Sequence, residues 1–191
     1  MIMIKKIFAV TGILILLASC AKPPAEEMNR AIEALTRAEN DADAAVYAQN
    51  TLNRAREALQ KMQEEAASKR YDSAKIFAAD ALAYAERAVS EGRMNAARVR
   101  DEASTLIDSL RIPLAETVSA LNNAKLNDMQ LDFNELGKSL DAVREDLENA
   151  RQNLEANNFL EAIDQGQNIR SVLGSINTMI NEAARSLSNK L

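Results

Sequence analysis

The side chains that could do covalent, acid–base or metal chemistry in this sequence are few. Cys20 is the only cysteine, and histidine is absent. The chain therefore lacks the commonest general base near neutral pH and the commonest metal ligand. Among the carboxylates, Asp41 with Asp43 and Asp128 with Asp132 stand in polar interruptions of the helical pattern. Calcium needs six or more oxygens in a loop built with glycine, and neither pair has that setting. Both pairs read as helix breaks with capping side chains. Serine and threonine are present, yet none stands in a Gly-x-Ser-x-Gly or Ser-x-x-Lys context, and no glycine-rich phosphate loop occurs. Tyr47, Tyr71, Phe77 and Tyr84 read as plugs at helix corners, with a recognition surface as the alternative. No catalytic residue, metal site or cofactor is expected.

That leaves the thiol of Cys20, which stands at the end of an apolar leader. Lys5 and Lys6 precede an uncharged run from Ile7 to Leu17. A basic segment, an apolar segment and small residues before a cut make a secretory signal. Eleven residues give only ~16 Å of helix, too short for a ~30 Å hydrocarbon core. The leader is therefore expected to be cleaved rather than to span a membrane.

Leu17-Ala18-Ser19-Cys20 resembles the lipobox of bacterial lipoproteins, in which the cysteine is diacylated and the chain is cut just before it. The resemblance implies residues 1–19 as signal peptide and Cys20 as a lipidated first residue, anchored in the membrane by its acyl chains, palmitate among them. Ala21 is not aspartate, and in the Gram-negative sorting rule that favours the outer membrane, facing the periplasm. Acylation also removes the hazard of an unpaired thiol in an exported protein. The C-terminal Asn189-Lys190-Leu191 is similar to the end of a lipoprotein attached to peptidoglycan through a terminal lysine. Here Lys190 is penultimate, and it reads as a solvated end.

The elements behind this anchor must be helices. Removing residues 1–19 takes away Lys5 and Lys6 and no acid, so the net charge moves from −5 to −7. An acidic chain with no basic block is a poor match for nucleic acid. Alanine, glutamate, asparagine, arginine and leucine dominate, while glycine and proline are scarce. That is helix-forming composition, and with no possible internal disulfide the fold must be held by packed helices. The expectation is an all-α fold of elongated antiparallel hairpins.

Lys22-Pro23-Pro24 reads as a short spacer, so residues 20–25 form an acylated cysteine plus linker. Apolar stripes then follow at helical spacing. The first is Met28, Ala31, Leu35 and Ala38, and the second Leu52, Ala55, Leu59, Met62 and Ala66. The third alternates steps of four and three through Ala78, Leu82, Ala85, Val89, Gly92, Ala96, Val99, Ala103, Leu106 and Leu110. That is an a/d seam, with Leu82, Val89, Ala96, Ala103 and Leu110 at the a positions. Pro113 is expected to end or kink this long helix, predicted over 72–112. Further stripes run through Leu114 to Ala124, Leu136 to Leu154 and Phe159 to Leu187, the last a second long helix near 159–188. Leu82, Val89, Val99, Leu106, Leu140, Leu147, Ile169 and Ile176 are the expected core.

The chain also repeats itself. An offset of 88 matches Leu52 with Leu140, Arg56 with Arg144, Glu57 with Glu145, Leu59 with Leu147, Tyr71 with Phe159 and Ala74 with Ala162. An offset of 86 matches Leu35 with Leu121, Ala38 with Ala124 and Tyr47 with Phe133. Two half-repeats are expected, 26–112 and 113–191. Tyr71-Asp72-Ser73-Ala74 and Phe159-Leu160-Glu161-Ala162 resemble the aromatic-x-x-Ala opening of a tetratricopeptide second helix. Residues 26–90 resemble the Ala/Glu-rich helical lipoprotein domains grouped as a domain of unknown function. No clean 34-residue period is present, and the family's Trp and Gly are missing.

The expected role is a lipid-anchored, non-catalytic envelope protein with a structural or protein-interaction function. Its partner would be another envelope protein or a second copy of itself. The alternatives are a tetratricopeptide-like periplasmic adaptor for a transporter or assembly machine and, third, a ligand carrier.

Overall fold

In the computed structural model, residues 22–188 are described, and they are almost wholly α-helical as composition and periodicity require. The helices are α1 (Ala25–Asn40), α2 (Ala42–Tyr47), α3 (Gln49–Ala67), α4 (Tyr71–Ser109), α5 (Arg111–Leu126), α6 (Phe133–Glu155) and α7 (Phe159–Ser188). These residues form two compact units, one up to Arg93 and one from Met94, so the division falls inside α4.

In the first unit Pro24 precedes α1, where a missing N–H does no harm, and its carbonyl accepts the first helical bond from Met28 at 3.0 Å. The break predicted at Asp41 and Asp43 narrows to Asp41 alone. Its backbone is extended (φ −81°, ψ 116°), and its side chain accepts from the Ala44 amide at 2.9 Å, capping α2. Ala48 (φ −132°, ψ 31°) separates α2 from α3 in the same one-residue manner.

The core of this unit is built largely from alanine. Ala34, Leu35, Ala38, Ala44, Leu52, Ala55, Ala85 and Ala88 pack together, and Ala31, Ala58, Met62, Ala78 and Ala81 form an adjoining cluster. Small side chains let helices approach closely, and Gly92 takes this furthest. A methyl group placed on it would lie 2.5 Å from the Ala44 nitrogen and 2.6 Å from the Ala44 α-carbon.

The predicted seam of α4 is corrected here. The buried line in the first unit runs Ala74, Ala78, Ala81, Ala85, Ala88 and Gly92, while Leu82 and Val89 are only half-buried at its margin. From Ala96 onward the line follows the predicted positions Val99, Ala103, Leu106 and Leu110. Two successive steps of four, Ala88 to Gly92 to Ala96, join the two registers. A real helix turns every 3.6 residues, so a strict heptad drifts and a step of this kind restores the match. Alanine takes the centre because leucine there would hold the neighbouring helices apart.

In the second unit α4 stops at Ser109, three residues before the predicted end at 112, and Pro113 sits in the first turn of α5. The reason lies four residues upstream of the ring. Proline has no N–H for the Ser109 carbonyl and crowds it, so the ladder breaks at Ser109. Leu110 stays in the α region (φ −77°, ψ −19°) and its amide turns to Ile107 at 3.2 Å. Leu106 and Ile107, Leu140, Val143 and Leu147, and Ile169, Leu173 and Ile176 make a core of larger side chains. Gly166 leaves room for Leu106, whose Cδ2 would lie 2.8 Å from an added methyl. Thr117 is fully buried and satisfied: its hydroxyl donates to the Pro113 carbonyl and accepts from the Asn177 amide, both at 2.8 Å.

The repeat is visible in local geometry. With an offset of 88, α3 and α6 end at Ala67 and Glu155, and α4 and α7 begin at Tyr71 and Phe159. Both turns are Schellman motifs. Lys69 (φ 58°) donates to Ala66 and Arg70 to Glu65; Asn157 (φ 63°) donates to Leu154 and Asn158 to Asn153. With an offset of 86, α1 and α5 coincide end to end, each 16 residues long. One expected match fails: Tyr47 closes α2 whereas Phe133 opens α6. The change of offset falls in the linker before them.

Candidate interaction surfaces

Cys20 and Lys190 lie outside the described residues. α1 begins five residues after Cys20, and Lys22-Pro23-Pro24 leads straight into it. Among the described residues no helix is long and apolar enough to cross a membrane.

Asp41, Asp128 and Asp132 stand at helix breaks, whereas Asp43 lies inside α2. Asp41 caps α2 and lies 3.7 Å from the Arg93 guanidinium. Asp43 is half-buried near Tyr47, whose hydroxyl is pushed to higher pKa by burial and, second, by the Asp43 charge. Asp128 occupies the left-handed turn after α5 (φ 47°). Asp132 caps α6, accepting from the Asn134 and Glu135 amides at 3.1 and 3.0 Å. Among the described residues no three Cys, Asp or Glu side chains gather as a metal site would need.

Tyr47 and Tyr71 stand at helix ends, while Phe77 and Tyr84 lie within α4 and not at a corner. Tyr84 and Phe77 lean against the alanine core, and Tyr71 is half-buried at the α3–α4 corner. Phe77 and Tyr84 also wall a groove of about 300 Å³, which Arg54, Glu57 and Lys61 of α3 complete with Asp80 of α4. The Lys61 ammonium sits 5.8 Å from the Phe77 ring centre, within cation–π range. Both charge signs line this groove.

Two features were not foreseen from sequence. The first is a polar tie between α3 and α4, in which Thr51 donates to Glu91 and Arg87 donates to the same carboxylate. The Thr51 hydrogen bond, then Arg87, hold the Glu91 carboxyl below its ordinary range. The second is a groove of about 270 Å³ between α6 and α7 in the second unit. Asp132, the cap of α6, and Glu135, Leu136 and Ser139 within it face the groove; from α7, Ser171, Val172, Ser175, Ile176 and Met179 do. Spacings of three, four and seven residues put each set on one helix face. That spacing was the available signal, but serines on a helix face read simply as solvated.

No protein-family model, curated protein or solved structure matches this chain.

Proposed function

We propose that this chain is an exported, lipid-anchored helical protein of the bacterial cell envelope that acts through protein contacts and not through catalysis. The observation that carries the reading is the position of Cys20. The only thiol in the sequence stands where an acylated cysteine must, behind a basic and then apolar leader. Two helical units with open grooves on their surfaces are consistent with binding work. Anchoring raises the local concentration near envelope partners, so weak contacts suffice. Ala21 favours the outer membrane, facing the periplasm. The test is Cys20→Ala in cells fed labelled palmitate. The label and membrane retention should both be lost; an acylated, membrane-retained variant would sink the reading.

One observation favours the second reading, a tetratricopeptide-like adaptor for a transporter or assembly machine. Phe159 is buried at its hairpin corner and Tyr71 half-buried at the equivalent one, each with a fully buried alanine, Ala162 or Ala74, three residues on. Crosslinking in intact envelopes followed by identification of the captured protein separates the two readings. Self-capture supports a scaffold, and capture of a machine component supports the adaptor.

A further inference from the structure

We propose that the groove between α6 and α7 is a docking slot for a basic amphipathic helix of a partner protein. Its apolar floor takes a large aliphatic side chain, and its acidic rim takes a lysine or arginine. The proposal deepens the protein-contact reading by giving the partner's chemistry, and it rests on that reading but not on the lipid anchor.

The repeat supplies an internal comparison. At the offset of 88, Ser139, Val172, Ser175 and Met179 stand opposite Thr51, Tyr84, Arg87 and Glu91. In the first unit three of these positions are tied to one another. Thr51 and Arg87 both bind Glu91, and Tyr84 packs against the alanine core. In the second unit the tie between the helices is gone. Ser139 turns back to the Glu135 carbonyl of its own helix at 3.1 Å. Val172 and Ser175 are shorter than their counterparts, and Met179 remains 47% exposed. A space of about 270 Å³ lies between them, enough for one large side chain. An exposed, flexible methionine at the lip is the kind of contact that adapts to a partner.

Charge selects the occupant. Asp132 and Glu135 line the groove, and the ion pairs among the described residues of this unit lie elsewhere, at Arg100–Asp101, Arg144–Asp141 and Arg151–Glu148. Asp132 Oδ1 already accepts two amide bonds as a cap, so Glu135 is the carboxylate with spare capacity. The chain as a whole is acidic, at net charge −5. Such a rim attracts a basic helix and repels an anionic headgroup, which disfavours an acyl chain from an anionic lipid. A slot between two helices suits a third helix presenting anchors at three- and four-residue spacing.

The probes are two designed amphipathic helical peptides with identical leucine faces, one bearing lysine and the other glutamate. Binding is read by fluorescence anisotropy against the full chain in solution. The leucine–lysine peptide should bind roughly tenfold tighter than the leucine–glutamate one. Ser175→Trp, which fills the groove without changing charge, should weaken it roughly tenfold, and Glu135→Lys should weaken it several-fold. Ser175 and Glu135 are both exposed, so circular dichroism should show each variant folded. Equal affinity for the two peptides would overturn the choice of a basic partner. Binding untouched by Ser175→Trp would overturn the groove while leaving the protein-contact reading standing. A labelled lysophosphatidylcholine whose binding is lost in Ser175→Trp, with no peptide binding, would overturn the proposal in favour of an acyl-chain site. The Cys20→Ala labelling result is independent of every one of these outcomes.

Discussion

A methyl group added to Gly92 in α4 would fall 2.5 Å from the backbone nitrogen of Ala44 in α2. Because the obstacle is backbone rather than the end of a flexible side chain, local rotamer changes cannot relieve the contact. Gly92→Ala should therefore destabilise the fold by about 1–3 kcal/mol, the range for overpacking, despite alanine's better helix propensity. Gly174→Ala is the control. Nothing lies within 4 Å of a methyl there, so the helix-propensity gain of about 0.5–1 kcal/mol should appear alone. Urea denaturation of both variants should move the midpoint in opposite directions. Movement in the same direction would mean that α2 does not rest on α4 as described.

The Schellman turns after α3 and α6 carry left-handed strain on Lys69 and Asn157. An L-residue in that region costs about 1–2 kcal/mol, and asparagine tolerates it better than lysine does. Lys69→Gly should raise the unfolding free energy by up to about 1 kcal/mol, and Asn157→Gly by less. Thermal melts of the two single variants give the ranking directly. A greater gain at Asn157 would contradict the assigned turn geometry.

These turns also mark how much of the fold the sequence disclosed. Helix periodicity and the aromatic-x-x-Ala openings at Tyr71 and Phe159 placed the long helices within a residue or three. Glycine is the usual signpost of a Schellman turn, and here Lys69, Asp128 and Asn157 take its place. Their conformation was invisible in composition. The a/d reading of α4 failed at Leu82 and Val89 because it weighted large side chains, whereas several helices pack tightly against alanine. Pro113 was read correctly as a breaker, but its effect lands on the carbonyl at Ser109. The Thr51–Glu91 tie joins residues 40 apart, and no local pattern announces it. The groove in the second unit escaped notice because serine on a helix is, in most settings, only solvated surface.

Glu91 makes the stability of the first unit respond to acid. Its folded pKa is depressed, first by the Thr51 hydrogen bond and then by Arg87. In the unfolded chain it titrates near the ordinary ~4.3. A group depressed on folding contributes stability that is present above the unfolded pKa and is lost as pH falls through the folded value. Glu91→Gln and Thr51→Val should both flatten the acid side of a plot of urea midpoint against pH. At neutral pH, Thr51→Val should also lower stability by about 1 kcal/mol. An unchanged acid limb in both variants would show that this tie is not formed in solution.

The most direct measurement is the intact mass and N-terminal peptide of the protein extracted from its native membrane. The expected product has lost residues 1–19 and begins with a diacylated Cys20, followed by Ala21. A chain that keeps its leader, or one cut elsewhere with an unmodified Cys20 thiol, would contradict the lipid anchor and with it the proposed place of this protein in the cell.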